Sequence, residues 1–299
     1  MTVITLPPHL SYSQVDTLNR CGASWFFQRG LKIRGETSWA QVGGTALHTA
    51  TEWWDLEAIV TGDWDASPDR LRALWGKAFA LAVDEATARE GTEPEQWRAT
   101  GRATKANPNK RDRAWWDANG PVYLHRYATW RQVAPYDITE IEGFGPAVEV
   151  PCSVTIGGVK VEMFIDRVFT AHDKSHDLIV DIKSGEHVPA DTLQLGTYGA
   201  GLRDQWGVDA TWASYWMAGT GGTTAPVSMS TWPLKRLNWT YSKAREAQAG
   251  GQFPPRRSPM CSGCSVREYC AAYGGALAWQ TPQPWDVTEV RVPDSEDSK

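Results

Sequence analysis

Asp181 and Lys183 lie two apart in the run DLIVDIKSG. Successive side chains on a β-strand point to opposite faces, so this carboxylate and this ammonium share one face and Ile182 turns to the other. Asp166 ends an earlier run, VKVEMFIDRVF, which a Gly157-Gly158 turn joins to AVEVPCSVTI as a β-hairpin. Two carboxylates on adjacent strands can hold a hard divalent cation through oxygen. Such a cation acidifies a bound water and clamps a scissile phosphate, while a lysine beside it orients the water or offsets charge. A D-x-K pair alone also arises on any solvated strand as a simple ion pair. Its meaning depends on its neighbours.

Those neighbours are specific. Gly44, His48 and Glu52 recur at every fourth position of a helix expected over about 39–60, and so share a face. The imidazole of His48 widens the donor set toward softer cations, so Mn2+ is expected to serve alongside Mg2+. Glu52 either orients that imidazole from one turn away or faces solvent. Glu149, on the strand leading into the hairpin, reads as an exposed strand carboxylate. Gln194 and Tyr198 are four apart in a helix expected over 189–206, directly after the D-x-K strand, and face the same way.

Four cysteines form a second pattern. Cys261, Cys264 and Cys270 are spaced C-x2-C-x5-C, and Cys21 lies 240 positions before the first of them. Thiolates select zinc or an iron–sulfur cluster. Paired C-x2-C units are the commoner zinc pattern. A shared centre would pin Cys21 to the C-terminal stretch. Cys152, on a strand, reads as a small buried hydrophobe.

The remaining composition bounds the class. The 299 residues are 41% hydrophobic and 22% charged, with a net charge of −5, which does not suggest wholesale polyanion binding. A local basic stretch survives that balance: Arg98, Arg102, Lys105, Lys110, Arg111 and Arg113, followed by Trp115 and Trp116. It is either a solvated loop or a DNA contact in which Lys105, Lys110 and Arg111 meet phosphates. The 17 tryptophans are core residues or base-stacking platforms. No 18-residue apolar run and no basic-then-apolar leader is visible, so a cytoplasmic protein with reduced thiols is expected.

Elements to position these groups follow from periodicity. Helices are expected from about Ser13, capped by Ser11 or Ser13, and over 39–60, 67–90, 114–133, 189–206 and 234–249. Strands are expected at the hairpin, at DLIVDIKSG, at WASYWMA and at PVSMSTW. The fold class is α/β, a mixed sheet flanked by helices, with a helical insertion at about 62–135. A single domain is expected over 1–280, and 281–299 reads as a polar tail.

With LSYS before Cys21, the Gly44–His48–Glu52 helix, FIDRV, VDIKSG, QLGTY and the terminal cysteines in this order, the chain resembles the PD-(D/E)xK nucleases. Within them it is similar to RecB-like and Cas4-like exonucleases that carry an iron–sulfur cluster. The likeness spans roughly residues 10–275. It implies a restriction-endonuclease-like core, with His48, Asp166, Asp181 and the carbonyl oxygen of Ile182 as ligands for Mg2+ or Mn2+. It makes Lys183 catalytic, and gives the Gln194–Tyr198 helix a part in positioning DNA and the active site. It implies a structural 4Fe–4S cluster on Cys21, Cys261, Cys264 and Cys270, with zinc as the alternative. The activity implied is exonucleolytic cleavage of DNA at single-stranded or free ends, in recombination, repair or phage DNA processing, beside recombination or replication proteins. A non-catalytic DNA-binding subunit and a zinc-stapled structural protein are the rival readings. Two departures stand out: Gly22 replaces the usual proline after the first cysteine, and Asp181 stands where glutamate is commoner.

Overall fold

Apolar alternation and helix caps place the elements close to where the sequence puts them. A computed structural model describes residues 2–101 and 110–293. In chain order the elements are β1 (Thr2–Thr5), α1 (Tyr12–Arg20), α2 (Gly22–Trp25), α3 (Trp39–Thr61), α4 (Pro68–Glu90), α5 (Arg113–Val133), β2 (Tyr136–Ile138), β3 (Glu140–Ile141) and β4 (Gly145–Pro146). They continue with β5 (Val148–Ile156), β6 (Val159–Ala171), β7 (Asp177–Lys183), α6 (Leu193–Trp206), β8 (Trp212–Met217), β9 (Gly222–Thr223), β10 (Val227–Ser228), α7 (Leu234–Ala249) and β11 (Val287–Arg291). Internal contacts group the chain into two compact units. One comprises Met1–Glu36, Cys152–Met163 and Trp232–Lys299; the other comprises Thr37–Pro151 and Phe164–Thr231.

In the second unit β7 is the hub. It pairs antiparallel with β6 and parallel with β8. The mixed sheet runs β10-β8-β7-β6-β2, with β5 also on β6 and β9 also on β8. Residues Leu178 to Ile182 are all buried, as expected of a strand covered on both faces. Leu178, Val180 and Ile182 join one core with the apolar faces of α3, α4 and α5. Ser38 caps α3 by accepting from the Gln41 amide at 3.4 Å, and Asp112 caps α5 by accepting from the Trp115 amide at 2.9 Å. Aromatics fill the space between these helices. Trp75 stacks on Trp116 with ring centroids 6.2 Å apart, and Tyr127 meets Trp216 edge-on at 5.2 Å. Most of the tryptophans are therefore core. Trp239, Trp279 and Trp285 are the exposed ones among the described residues.

The first unit is built from distant parts of the sequence. β1 and β11 pair in parallel. The segment read as a polar tail thus holds a strand, Val287–Arg291, whose partner Thr2–Thr5 lies near the other end of the sequence. Ser11 caps α1, accepting from the Gln14 amide at 3.3 Å. Trp25 stacks on Phe253 at 5.2 Å. One other expectation needs correction. In PVSMSTW only Val227–Ser228 is strand, and a 3-10 turn at Met229–Thr231 follows, closed by the Thr231 hydroxyl donating to the Ser228 carbonyl at 2.7 Å. No helix among the described residues is long and apolar enough to cross a membrane.

The packing of α5 against α4 gives a paired test. A Cβ on Gly120 would lie 2.0 Å from ring atoms of Trp75, whereas one on Gly76 meets nothing within 4 Å. Gly120→Ala should therefore destabilise the protein by about 1–3 kcal/mol through overpacking. Gly76→Ala, in a solvent-facing helix interior, should stabilise it by about 0.5–1 kcal/mol. Denaturant midpoints measured side by side check both signs.

Candidate active site

α3 carries one face of the site. Gly44 lies where a Cβ would come 3.1 Å from the Ser184 hydroxyl, so a side chain here would crowd the residue that follows Lys183. One turn further, His48 reaches the carboxylates with Nδ1, 3.5 Å from Asp166 Oδ1 and 3.7 Å from Glu149 Oε1. These three donor atoms lie within 4.8 Å of one another, the only such group among the described residues. Glu52 is beyond ion-pair distance of the imidazole; Glu149, expected to be an exposed strand carboxylate, takes that neighbourhood instead. It reaches in from a left-handed backbone, φ 49°, unusual for a non-glycine residue. The sequence signal for it was slight: an acidic residue two positions before Pro151 in a strand.

The two strand aspartates are brought together as alternation requires. Asp166 Oδ2 accepts from the Ile182 amide at 2.6 Å, so β7's backbone fixes that oxygen and Oδ1 is left toward His48. Ile182 itself buries its side chain in the core. Asp181 is 1% exposed, and its Oδ2 makes no hydrogen bond of acceptable geometry. Its counter-charge is Lys183 Nζ, 2.7 Å away. Lys183 also donates to Gln194 Oε1 at 2.9 Å, and Gln194 Nε2 donates to the Tyr198 hydroxyl at 2.8 Å. Tyr198 is buried. The Gln194–Tyr198 pair therefore aims the lysine. An ammonium has three donors; one is spent on Gln194 and Asp181 faces the charge as an ion pair without a hydrogen bond, which leaves a donor for a further oxygen.

Beneath this surface lies a buried charge group. Asp55, fully buried on α3, accepts from Arg167 Nε at 2.7 Å, from Arg131 Nε at 3.3 Å and from the Tyr127 hydroxyl at 2.6 Å. Neither its partners nor its burial were legible from spacing alone. The basic stretch is only partly described. Lys105 lies outside the described residues and Lys110 is exposed. Arg111 pairs with Glu186 at 2.7 Å and covers the Trp115 ring at 4.4 Å.

The cysteines belong to the first unit and all are free thiols. Cys21 ends α1, and its sulfur accepts from the Arg256 amide at 3.4 Å. Cys261 Sγ accepts from the Ser258 amide at 3.4 Å, and the Ser24 hydroxyl lies 3.9 Å from Cys264 Sγ. Burial pushes the Cys270 thiol up, and Cys21 and Cys264 are close enough to add to that. Gly22 now has a reason: a Cβ there would lie 2.6 Å from the Phe253 carbonyl carbon. Cys152 is buried, as expected of a small hydrophobe.

Charge in the site is finely balanced. Burial disfavours the His48 cation, but Asp166, Glu149 and Asp181 outweigh it and push the imidazole up to about 9. Burial, with Asp181 and Glu149 adding and His48 opposing, pushes Asp166 up to about 7. The group therefore holds protons at neutral pH that an incoming cation must displace. Mn2+ affinity should rise as pH climbs from about 7 to about 9, and level off once His48 is neutral. Calorimetric titration in buffers of different ionisation enthalpy should show proton release at pH 7. An affinity independent of pH would contradict this balance.

The chain is 25% identical over 309 residues to the gene 69 protein of Mycobacterium phage L5, covering 90% of this chain and 98% of that one. The crystal structure of SSO0001 aligns with 51% of this chain and 68% of its own at 16% identity, with a TM-score of 0.33. Residues 9–271 match the PD-(D/E)XK nuclease superfamily domain. Asp166, Asp181 and Lys183 stand on adjoining strands inside that span, and this chain belongs to the PD-(D/E)XK nuclease superfamily.

Proposed function

We propose that this protein is a divalent-metal-dependent DNA exonuclease acting at single-stranded or free DNA ends. One observation carries the reading: Lys183 Nζ is held between Asp181 Oδ2 at 2.7 Å and Gln194 Oε1 at 2.9 Å, on the strand whose amide fixes Asp166. A non-catalytic descendant has no need to aim a lysine in this way. The donor set fits a hard or borderline cation, since His48 Nδ1, the Asp166 carboxylate and the buried Asp181 oxygen without a hydrogen bond are all available. The carbonyl oxygen of Ile182 would complete it. A bound Mg2+ or Mn2+ supplies an acidified water and neutralises charge on the phosphate. Lys183 directs its remaining N–H at the phosphate or the attacking water, where charge develops. Gln194 and Tyr198 keep the ammonium from collapsing wholly onto Asp181. The phage relative favours phage DNA processing as the setting, with recombination or replication proteins as partners and the host cytoplasm as the compartment.

The cysteines support a structural 4Fe–4S cluster in the first unit. A single zinc, with Zn–S bonds of about 2.3 Å, gathers its thiolates tightly. Among the described residues no three of these sulfurs lie within 4.8 Å of one another. Backbone amides aimed at Cys21 and Cys261 are the donors that stabilise cluster thiolates.

The test is digestion of end-labelled single- and double-stranded DNA with Mg2+ or Mn2+, beside a closed circle. Ends should be consumed and the circle spared. Asp181→Ala should abolish cleavage, and Lys183→Ala should lower it by roughly 10²–10³-fold, with DNA binding retained. Gln194→Leu, which leaves the lysine charged but loosely aimed, should cost up to about 10²-fold. Activity of Asp181→Ala or Lys183→Ala within a few-fold of wild type would remove the catalytic assignment, and efficient cutting of the circle would remove the exonuclease one.

Protein purified anaerobically should be brown, and Cys264→Ala should lose both the visible absorbance and solubility. Colourless wild-type protein with stoichiometric zinc would overturn the cluster.

A further inference from the structure

Glu149 and Arg167 are the charged residues nearest the reacting strands that the nuclease reading leaves without a task. Arg167 has no solvent exposure. Its Nε donates to Asp55 at 2.7 Å, its Nη2 to the Thr51 hydroxyl at 3.2 Å, and its Nη1 both to Glu149 Oε1 at 3.2 Å and to the Asp166 carbonyl at 2.5 Å. A guanidinium is planar and its donors are fixed in a fork. With Nε, Nη1 and Nη2 all engaged, the ring of bonds allows one orientation. That orientation ties the backbone of Asp166 and the side chain of Glu149 to the same rigid group. Asp55 in turn is fixed by Tyr127 and Arg131.

The place to which Glu149 is tied decides its role. A carboxylate that merely orients a metal-binding histidine bonds the ring nitrogen that the metal does not use. Glu149 Oε1 and Asp166 Oδ1 face the same nitrogen, His48 Nδ1, at 3.7 and 3.5 Å. Glu149 is therefore on the cation's side of the imidazole, not behind it. Its left-handed backbone carries the cost of getting there.

Resting on the nuclease reading, we propose that Glu149 is a further cation-holding carboxylate of the active site, and that Arg167, anchored on buried Asp55, is the positioning residue that aims it. Glu149 and Asp166 then present oxygens to one cation from two strands, and Arg167 fixes the distance between them. Asp55, at the far end of the fork, makes no contact with the cation and acts only through Arg167.

Mn2+ binding, followed by the electron paramagnetic resonance of the free ion, tests this without reference to cleavage. Glu149→Gln keeps shape and removes charge; it should weaken Mn2+ binding by at least about tenfold. Arg167→Lys keeps the charge and loses the fork; it should also weaken binding by about tenfold. If Arg167 acts through Glu149, the double variant should bind scarcely more weakly than Glu149→Gln alone. Additive losses would overturn the positioning role, and an unchanged affinity in folded Glu149→Gln would overturn the ligand role. Thermal unfolding of each variant shows that it is folded. Should Arg167→Lys fail to fold, Thr51→Val, which removes one partner of the fork, takes its place in the cycle, with a smaller loss expected and the same coupling to Glu149. Wild-type protein that binds no Mn2+, or Asp181→Asn that binds as wild type, would instead strike the metal site itself, which separates failure of the nuclease reading from failure of this one.

Discussion

A carboxylate with no access to water, that of Asp55, fixes the site from below. Two guanidiniums and a phenol close around it from two other elements: Arg131 and Tyr127 from α5, Arg167 from β6. Buried ion pairs of this kind add little net stability, because desolvation offsets most of the attraction. What they do provide is intolerance of rearrangement, since freeing one partner leaves a charge buried alone. Burial and the Asp55 charge hold the Tyr127 phenol far above its usual range, so it stays a neutral donor. α3, α5 and β6 are thereby locked in one register. His48, two turns before Asp55 on the same helix, and Asp166, next to Arg167 on the same strand, inherit that register.

How much of this the sequence reveals differs from residue to residue. The D-x-K pair was legible because a strand's two-residue period leaves no freedom: Asp181 and Lys183 must share a face, and do. The helix face of Gly44 and His48 was legible for the same reason at a longer period. Glu149 was not. The alternation of β5 runs through it unbroken, and neither its left-handed backbone nor its distant partners His48 and Arg167 are announced by the residue type. The ion pair of Arg111 was not legible either, because Glu186, its partner, is 75 residues away. The strand at Val287–Arg291 was missed because five residues of mixed polarity read as tail until Thr2–Thr5 is set beside them. Local period is visible in sequence; distant partnership is not.

The cysteine-bearing unit and the carboxylate-bearing unit solve different problems with similar means. In the second unit, burial brings the Asp166 carboxyl close to titration at neutral pH. In the first, backbone amides point at sulfur and short turns, such as the Cys264 amide donating to the Cys261 carbonyl at 3.1 Å, set the spacing of the cysteines. In both units the first neighbours of these sulfurs and carboxylates include main-chain donors or buried charges, which are held in place.

The parallel pairing of β1 with β11 has a consequence in time. The Thr288 hydroxyl donates to the Thr2 carbonyl across 286 residues. At about 5–20 residues per second on the ribosome, the first strand waits roughly 15–60 s before its partner exists. Cys21 waits almost as long for Cys261, Cys264 and Cys270. Contacts of such high sequence separation form late and slow the final step of folding. During that interval β1 has no strand partner, and among the later parts of its unit α1 and α2 have only the Cys152–Met163 segment, where Leu10 exchanges backbone bonds with Lys160 and Glu162. A strand made late thus closes one made early into structure.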